Sequence, residues 1–267
     1  MRIYIVPNLS KPNSDITLKR TLQILECNGI DTVTSDNGKI ENDKIISSDI
    51  LIAIGGDGTI IDVCKKASFF EKPVLGINSG RIGFLAGLEH ENLEDLAKLG
   101  QNDFKIEEAT MLQVYIKSSP EKIYYCLNDV VLTRQRHTKM IDVDLNYADN
   151  CLSYRGDGLI VATPVGSTAY SMSAGGPIVD RSVKGIVVTP ICPFSYFSSS
   201  IIIDENNILE LSVKDVEEDG VSVIVDGEFV DEFSCNDVLC VKKSSYKTRF
   251  ISFENNSFYR KLIEKIK

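Results

Sequence analysis

The chain has 267 residues, 43% of them hydrophobic and 25% charged, and carries a formal net charge of −9. That length buries a sizeable core in one large domain or two, and the acidic balance excludes non-specific nucleic-acid binding, which needs clustered lysine and arginine. No apolar stretch approaches the roughly 18 residues of a membrane span, and the seven cysteines are scattered with no C-x-x-C pair, which fits reduced thiols in cytoplasm better than a disulfide framework or a zinc site.

Met1–Pro7 reads as a first strand and is too short for a signal peptide. Ile16–Cys27 has Leu18, Leu22 and Leu25 on one helical face and Gly29 to stop it. Ile50–Ile54 is short and wholly apolar, the pattern of a strand buried on both faces of a parallel sheet. It runs directly into Gly55-Gly56-Asp57-Gly58-Thr59 and then a helix carrying Ile60, Ile61, Cys64 and Ala67. Pro73–Ile77 is the next strand, and Leu93–Leu99 is a helix ended by Gly100. This alternation implies βαβ units.

From Phe104 the pattern changes to short β-rich runs. They are Leu112–Lys117, Tyr124–Leu132, Ile141–Tyr147, Leu159–Ala162, Gly185–Thr189, Ile208–Val213, Val221–Val225 and Val238–Lys242. Ser257–Lys267 returns to helical spacing through Phe258, Leu262 and Ile266. The expected fold class is α/β plus β. An α/β parallel-sheet domain over residues 1–100 carries the glycine loop, and a β-rich domain follows over 101–250. The segment 251–267 ends in a helix that packs back on the first domain.

The loop after a buried parallel strand is where open α/β sheets bind ligands. Its glycines let the backbone approach a phosphate and take turns that a Cβ forbids. Asp57 would repel a phosphate, so proton acceptance or a metal contact is its natural role. No Lys and Ser/Thr pair follows the glycines, so this is not a P-loop. A turn-stabilising aspartate is the plainer alternative. A second glycine-rich segment, Gly156 to Pro177, reads as strand, tight turn and a helix opening at Ser167 or Thr168, where hydroxyls and free N–H groups suit polar ligand atoms. A capped helix packed through small residues is the alternative there. His90 and His137 lie in polar stretches and are expected on the surface, which leaves histidine-dependent catalysis with almost no candidates.

G-G-D-G-T at 55–59, N-S-G-R-I-G-F-L at 78–85, N-D-V-V-L at 128–132, the Gly156–Pro177 segment and T-P-I-C-P at 189–193 together resemble the NAD kinase family. The run T-P-V-G-S-T-A-Y-S-M-S-A-G-G-P is the most specific of these. The resemblance implies phosphoryl transfer from ATP, or polyphosphate, to the 2′-hydroxyl of the adenosine ribose of NAD. It makes Asp57 the residue that acts on that hydroxyl, which a positioned carboxylate can orient and deprotonate. Gly55, Gly56, Gly58 and Thr59 complete that loop. The resemblance also implies that Asn128 and Asp129 contact the adenosine portion, where the family usually has Glu in place of Asp129.

By the same resemblance Arg155 and Asp157 line the dinucleotide site, and a guanidinium is a natural partner for pyrophosphate. Thr168, Ala169, Tyr170, Ser171 and Ser173 belong to the segment that encloses the nucleotide, and Phe84 borders the substrate. Asp226-Gly227 resembles the family's late D-G turn, with a plain hairpin turn as the alternative. Phe194 stands where the family often has His, and Ser195–Ser200 lack the usual Arg-Pro. No dedicated metal cage is visible, so magnesium is expected on the donor's phosphates. A lipid or sugar kinase sharing the G-G-D-G loop and a non-catalytic NADP-binding protein are the competing readings. Family members are typically dimers or tetramers. Apolar strands such as Gly185–Ile191 need covering, and a homo-oligomer, a tetramer assembled through the β domain, is therefore expected in the cytoplasm.

Overall fold

The computed structural model describes residues 1–36, 38–80, 83–135, 139–194, 198–214, 220–253 and 262–263. His137, Arg81 and Ile82 of the N-S-G-R-I-G-F-L motif, Ser195 to Phe197, and all but two residues of the expected final helix lie outside them. Among the described residues no helix is long and apolar enough to cross a membrane.

The chain divides into two compact units, Met1–Ala109 with Tyr246–Lys267, and Thr110–Ser245. The first opens with β1 (Arg2–Pro7), α1 (Ser14–Cys27), β2 (Asp31–Thr34), α2 (Asn42–Ile46), β3 (Ile50–Gly55), α3 (Asp57–Ser68) and β4 (Pro73–Asn78). β2, β1, β3 and β4 form a parallel sheet in that spatial order, with Ile52 opposite both Ile5 and Leu75. Beyond β4 the sheet takes in Arg249 and Phe250, also parallel. β3 is buried along its whole length, as a central parallel strand should be. Its isoleucines pack with Ile3, Ile5, Leu75 and Ile77 in one core cluster.

Leu93, Leu96 and Leu99 join that core, and the helix expected there is a 3₁₀ helix, Glu94–Gln101. The leucines recur every third residue, which matches three residues per turn. β2 was not expected at all, because D-T-V-T is an edge strand with no buried position.

The second unit is mostly β. After β5 (Leu88–Glu89), which pairs with the end of β4, come β6 (Lys105–Ile116), β7 (Ser119–Cys126), β8 (Asp129–Arg134), β9 (Ile141–Tyr147), β10 (Asn150–Gly156), β11 (Gly158–Ala162), the one-turn α4 (Tyr170–Ser173), β12 (Gly185–Ile191), β13 (Ile201–Asp204), β14 (Leu209–Lys214), β15 (Val221–Val225), β16 (Glu228–Phe233) and β17 (Leu239–Ser252). One antiparallel sheet has the order β13-β12-β11-β8-β15-β16. β10, β9, β14 and β17 form a second antiparallel layer. Inward residues of both layers make one cluster, with Val130, Leu132, Val161 and Val223 from the first and Leu145, Leu211 and Val241 from the second.

The outer face of the six-stranded sheet is apolar too. There Val131, Ile160, Val187 and Ile191 pack with Val179. β12 is consequently buried at every position. The cover that Gly185–Ile191 requires is supplied by this chain, so that strand is no argument for a second subunit.

The single run Tyr124–Leu132 is in fact two strands, β7 and β8, broken at Leu127 and Asn128. The break has a donor-side cause. The N–H groups of Leu127, Asn128 and Asp129 all donate to the Asp226 carboxylate, at 3.0, 2.8 and 3.3 Å.

Candidate functional site

In the first unit the glycine loop lies at the carboxyl end of β3, and Asp57 opens α3. The Asp57 carboxylate is seated by two backbone donors, Phe84 N–H at 3.0 Å and Leu85 N–H at 3.2 Å. A carboxylate has about four lone-pair sites, so this seat fixes its orientation and leaves acceptor capacity. Gly83 makes the seat possible, since a Cβ there would lie 2.2 Å from Asp57 Oδ1. Phe84 itself is buried.

The glycines of the loop serve a different purpose from the strained turn expected of them. None of Gly55, Gly56 and Gly58 has a positive φ. Gly55 is small because a Cβ would meet Thr59 Oγ1 at 2.6 Å, whereas Gly56 and Gly58 face open space. That open space would let a ligand approach the first turn of α3, where a helix start offers N–H groups and a dipole that favour an anion. Asn8 Nδ2 donates to Thr59 Oγ1 at 3.1 Å and ties the end of β1 to this turn. Nearby, His90 is half-buried, with Nε2 3.4 Å from Asn13 Nδ2 and Nδ1 enclosed. The surface position expected for it is therefore corrected.

In the second unit Asn128 and Asp129 open β8. Thr163 grips the acceptor side of this segment: its N–H donates to Asn128 O at 2.8 Å and its hydroxyl to Leu127 O at 2.5 Å. With Asp226 on the donor side, the backbone of this short stretch is held from both directions. Among the described residues no donor is seen on either the Asn128 amide or the Asp129 carboxylate. Asp129 is only 4% exposed. Burial, and secondarily the charge of Asp226, push its carboxyl up to about 7. A buried acid with a raised pKa and, among the described residues, no donor on its carboxylate makes Asp129 a candidate ligand-binding position.

The second glycine-rich segment wraps over these residues. A short 3₁₀ turn, Gly166–Thr168, precedes α4, so the expected helix is one turn each of two kinds. Gly166 N–H donates to Thr163 Oγ1 at 3.0 Å, and a Cβ on Gly166 would lie 2.0 Å from Asn128 O. Backbone cannot yield to that. Gly166→Ala is expected to destabilise the protein by about 2–3 kcal/mol or more. Urea unfolding within about 0.5 kcal/mol of the parent would refute this close packing.

The remaining expected positions divide by environment. Thr168 is buried and donates to Val165 O at 3.2 Å, and Ser171 is fully buried with its hydroxyl 2.8 Å from that of Thr189. Ala169 is half-buried, while Tyr170 and Ser173 are exposed. The Asp157 carboxylate is paired with Arg134 Nη2 at 2.9 Å. Arg155 is exposed and lies 3.9 Å from a half-buried Asp142, a pair too loose to hold a guanidinium. Asp226 is more than a plain hairpin residue, because its side chain reaches a segment 97 to 99 positions away.

The glycine loop and seated carboxylate of the first unit, and the buried acid at a strand end of the second, are each features expected of a nucleotide-handling enzyme of α/β-plus-β build. Residues 26–103 match the model of the ATP-NAD kinase N-terminal domain, and residues 127–253 match that of the C-terminal domain. The NAD kinase of Caldicellulosiruptor bescii is 38% identical over the full length of both chains. That of Caldanaerobacter subterraneus subsp. tengcongensis is 34% identical, covering 99% of this chain and 98% of its own. Among solved structures, an NAD kinase from Archaeoglobus fulgidus in complex with ATP superposes with a TM-score of 0.79 at 26% identity, covering 100% of this chain and 98% of its own. Yeast NADH kinase complexed with NADH gives 0.87 at 22% identity over 100% and 87%, which bears on the fold. The chain belongs to the NAD kinase family.

Proposed function

We propose that this chain is an NAD kinase that transfers the γ-phosphoryl group of ATP to the 2′-hydroxyl of the adenosine ribose of NAD, giving NADP and ADP. The observation that carries the reading is Asp57, seated by two backbone N–H groups with acceptor capacity to spare. Its carboxylate orients the ribose hydroxyl and accepts its proton as the new O–P bond forms. The bond from the γ-phosphorus to the β–γ bridging oxygen breaks, and ADP leaves. The open first turn of α3, at Gly56 and Gly58, receives phosphate oxygens of the donor. Asn128 and Asp129 hold the adenosine portion, Asp129 by accepting from a ribose hydroxyl when ionised. Arg155, whose ion pair with Asp142 is long at 3.9 Å, suits the pyrophosphate.

Among the described residues no three histidine, cysteine or acidic side chains converge on one point. A divalent cation, magnesium, enters in this reading as part of the donor substrate, since that ion keeps most of its waters and binds through substrate phosphates. The full-length kinship to NAD kinases supports this reading over a lipid or sugar kinase. Incubation with NAD, magnesium and either ATP or polyphosphate, followed by an NADP assay, tests it. No NADP from either donor would refute it.

The enzyme acts in the cytoplasm as a homo-oligomer, a tetramer. The motivating surface is in the β unit, where Phe194, Phe229 and Ile202 are exposed and β13 and β16 are sheet edges. Light scattering at micromolar concentration should return a multiple of 29.6 kDa. A mass near that of one chain would rule assembly out.

A further inference from the structure

We infer that Asp226 is a positioning residue of the nucleotide site, holding the backbone from Leu127 to Asp129 so that the Asn128 amide and the Asp129 carboxylate face a ligand. This rests on the reading of Asn128 and Asp129 as adenosine contacts. Asp226 and Gly227 are the two central residues of the β15–β16 hairpin, with φ of 48° and 83°. Both positive values make this a turn of the primed kind, which asparagine or aspartate followed by glycine favours. The turn itself asks only for an Asp or Asn backbone. It does not ask for a carboxylate that accepts three successive N–H groups from another strand.

The clamp is reciprocal, since Asp226 N–H donates back to Asp129 O at 2.9 Å. With Thr163 taking the carbonyl side, the segment has no backbone freedom left to lose when a nucleotide binds, and preorganisation of this kind raises affinity. The arrangement also sets one carboxylate beside another that is buried. The neighbouring strands β11 (G-L-I-V-A) and β15 (V-S-V-I-V), and the Thr163–Thr168 stretch, carry no ionisable side chain. Asp226 is thus the charged group that acts on Asp129, and a scaffold selected for stability alone would not place it there.

Asp226→Ala and Asp226→Asn, made in the full chain, test the inference. Asp226→Ala should raise KM for NAD about tenfold while kcat and KM for ATP stay within about twofold, a loss of binding and not of chemistry. Asp226→Asn still accepts at one oxygen but removes the charge. The pH at which KM for NAD changes should therefore move to lower values, a shift that a merely structural residue would not produce. A folded Asp226→Ala protein with unaltered KM for NAD would overturn the inference, and so would one whose kinetic constants all decline together. If Asp226→Ala does not fold, an unmoved pH profile in Asp226→Asn overturns it. Asn128→Ala separates the two levels. If it leaves KM for NAD unchanged, the nucleotide-site reading has failed; if it raises KM while the Asp226 variants do not, only the positioning role has.

Discussion

Asp57→Asn is expected to lower kcat on the order of 10²-fold or more, the usual size of a general-base contribution. The amide is nearly the same size as the carboxylate, so Gly83 still clears it. It cannot, however, accept from both Phe84 N–H and Leu85 N–H, because one of its two terminal atoms is now a donor. A cost of about 1 kcal/mol in stability should accompany the loss of rate. NAD affinity should change little, since the adenosine contacts are proposed for Asn128 and Asp129. Single-turnover kinetics under saturating NAD and ATP, with NAD binding followed by calorimetry, separates the two effects. A variant retaining near-normal turnover would remove Asp57 from the chemistry altogether.

What the sequence revealed and what it concealed divide along physical lines. β3 and its loop were legible because a central parallel strand is apolar at every position, and because glycines crowd a loop that a ligand must approach. The change to β structure after Phe104 was legible from its short β-rich runs. Edge strand β2 was not, since D-T-V-T has no apolar pattern to read. The 3₁₀ form of Glu94–Gln101 was readable in principle from the three-residue spacing of its leucines. The seat of Asp57 was hidden because its donors are backbone N–H groups 27 and 28 residues downstream, and every residue but proline has such a donor. The same holds for Asp226, whose side chain could be assigned only once the fold had brought its turn to the start of β8. Candidate residue types are visible in one dimension, whereas the hydrogen bonds that aim them belong to tertiary structure.

Replacing Asp129 should strengthen the fold while weakening the site. Its carboxyl is raised from the ordinary 3.8 to about 7, by burial first and by Asp226 second. An acid whose folded pKa lies above its unfolded one takes up protons on folding, so stability is greatest at low pH and is lost as pH climbs. The loss here runs from about pH 4, where the unfolded chain begins to ionise, to about pH 7, where the folded group does. Above that the native state carries an unpaired buried charge at a cost of the order of a few kcal/mol. Asp129→Asn removes the charge and keeps the shape. Its unfolding temperature should exceed the parent's by several degrees at pH 8 and match it near pH 4. In the opposite sense, Asp129→Ala should raise KM for NAD about tenfold or more, the worth of a hydrogen bond to a charged acceptor. The Asn variant, which keeps one acceptor oxygen, should fall between. If the parent and Asp129→Asn unfold alike at pH 8, the carboxylate is not buried ionised there. If Asp129→Ala leaves KM for NAD unchanged, the residue bears a stability cost with no nucleotide to offset it.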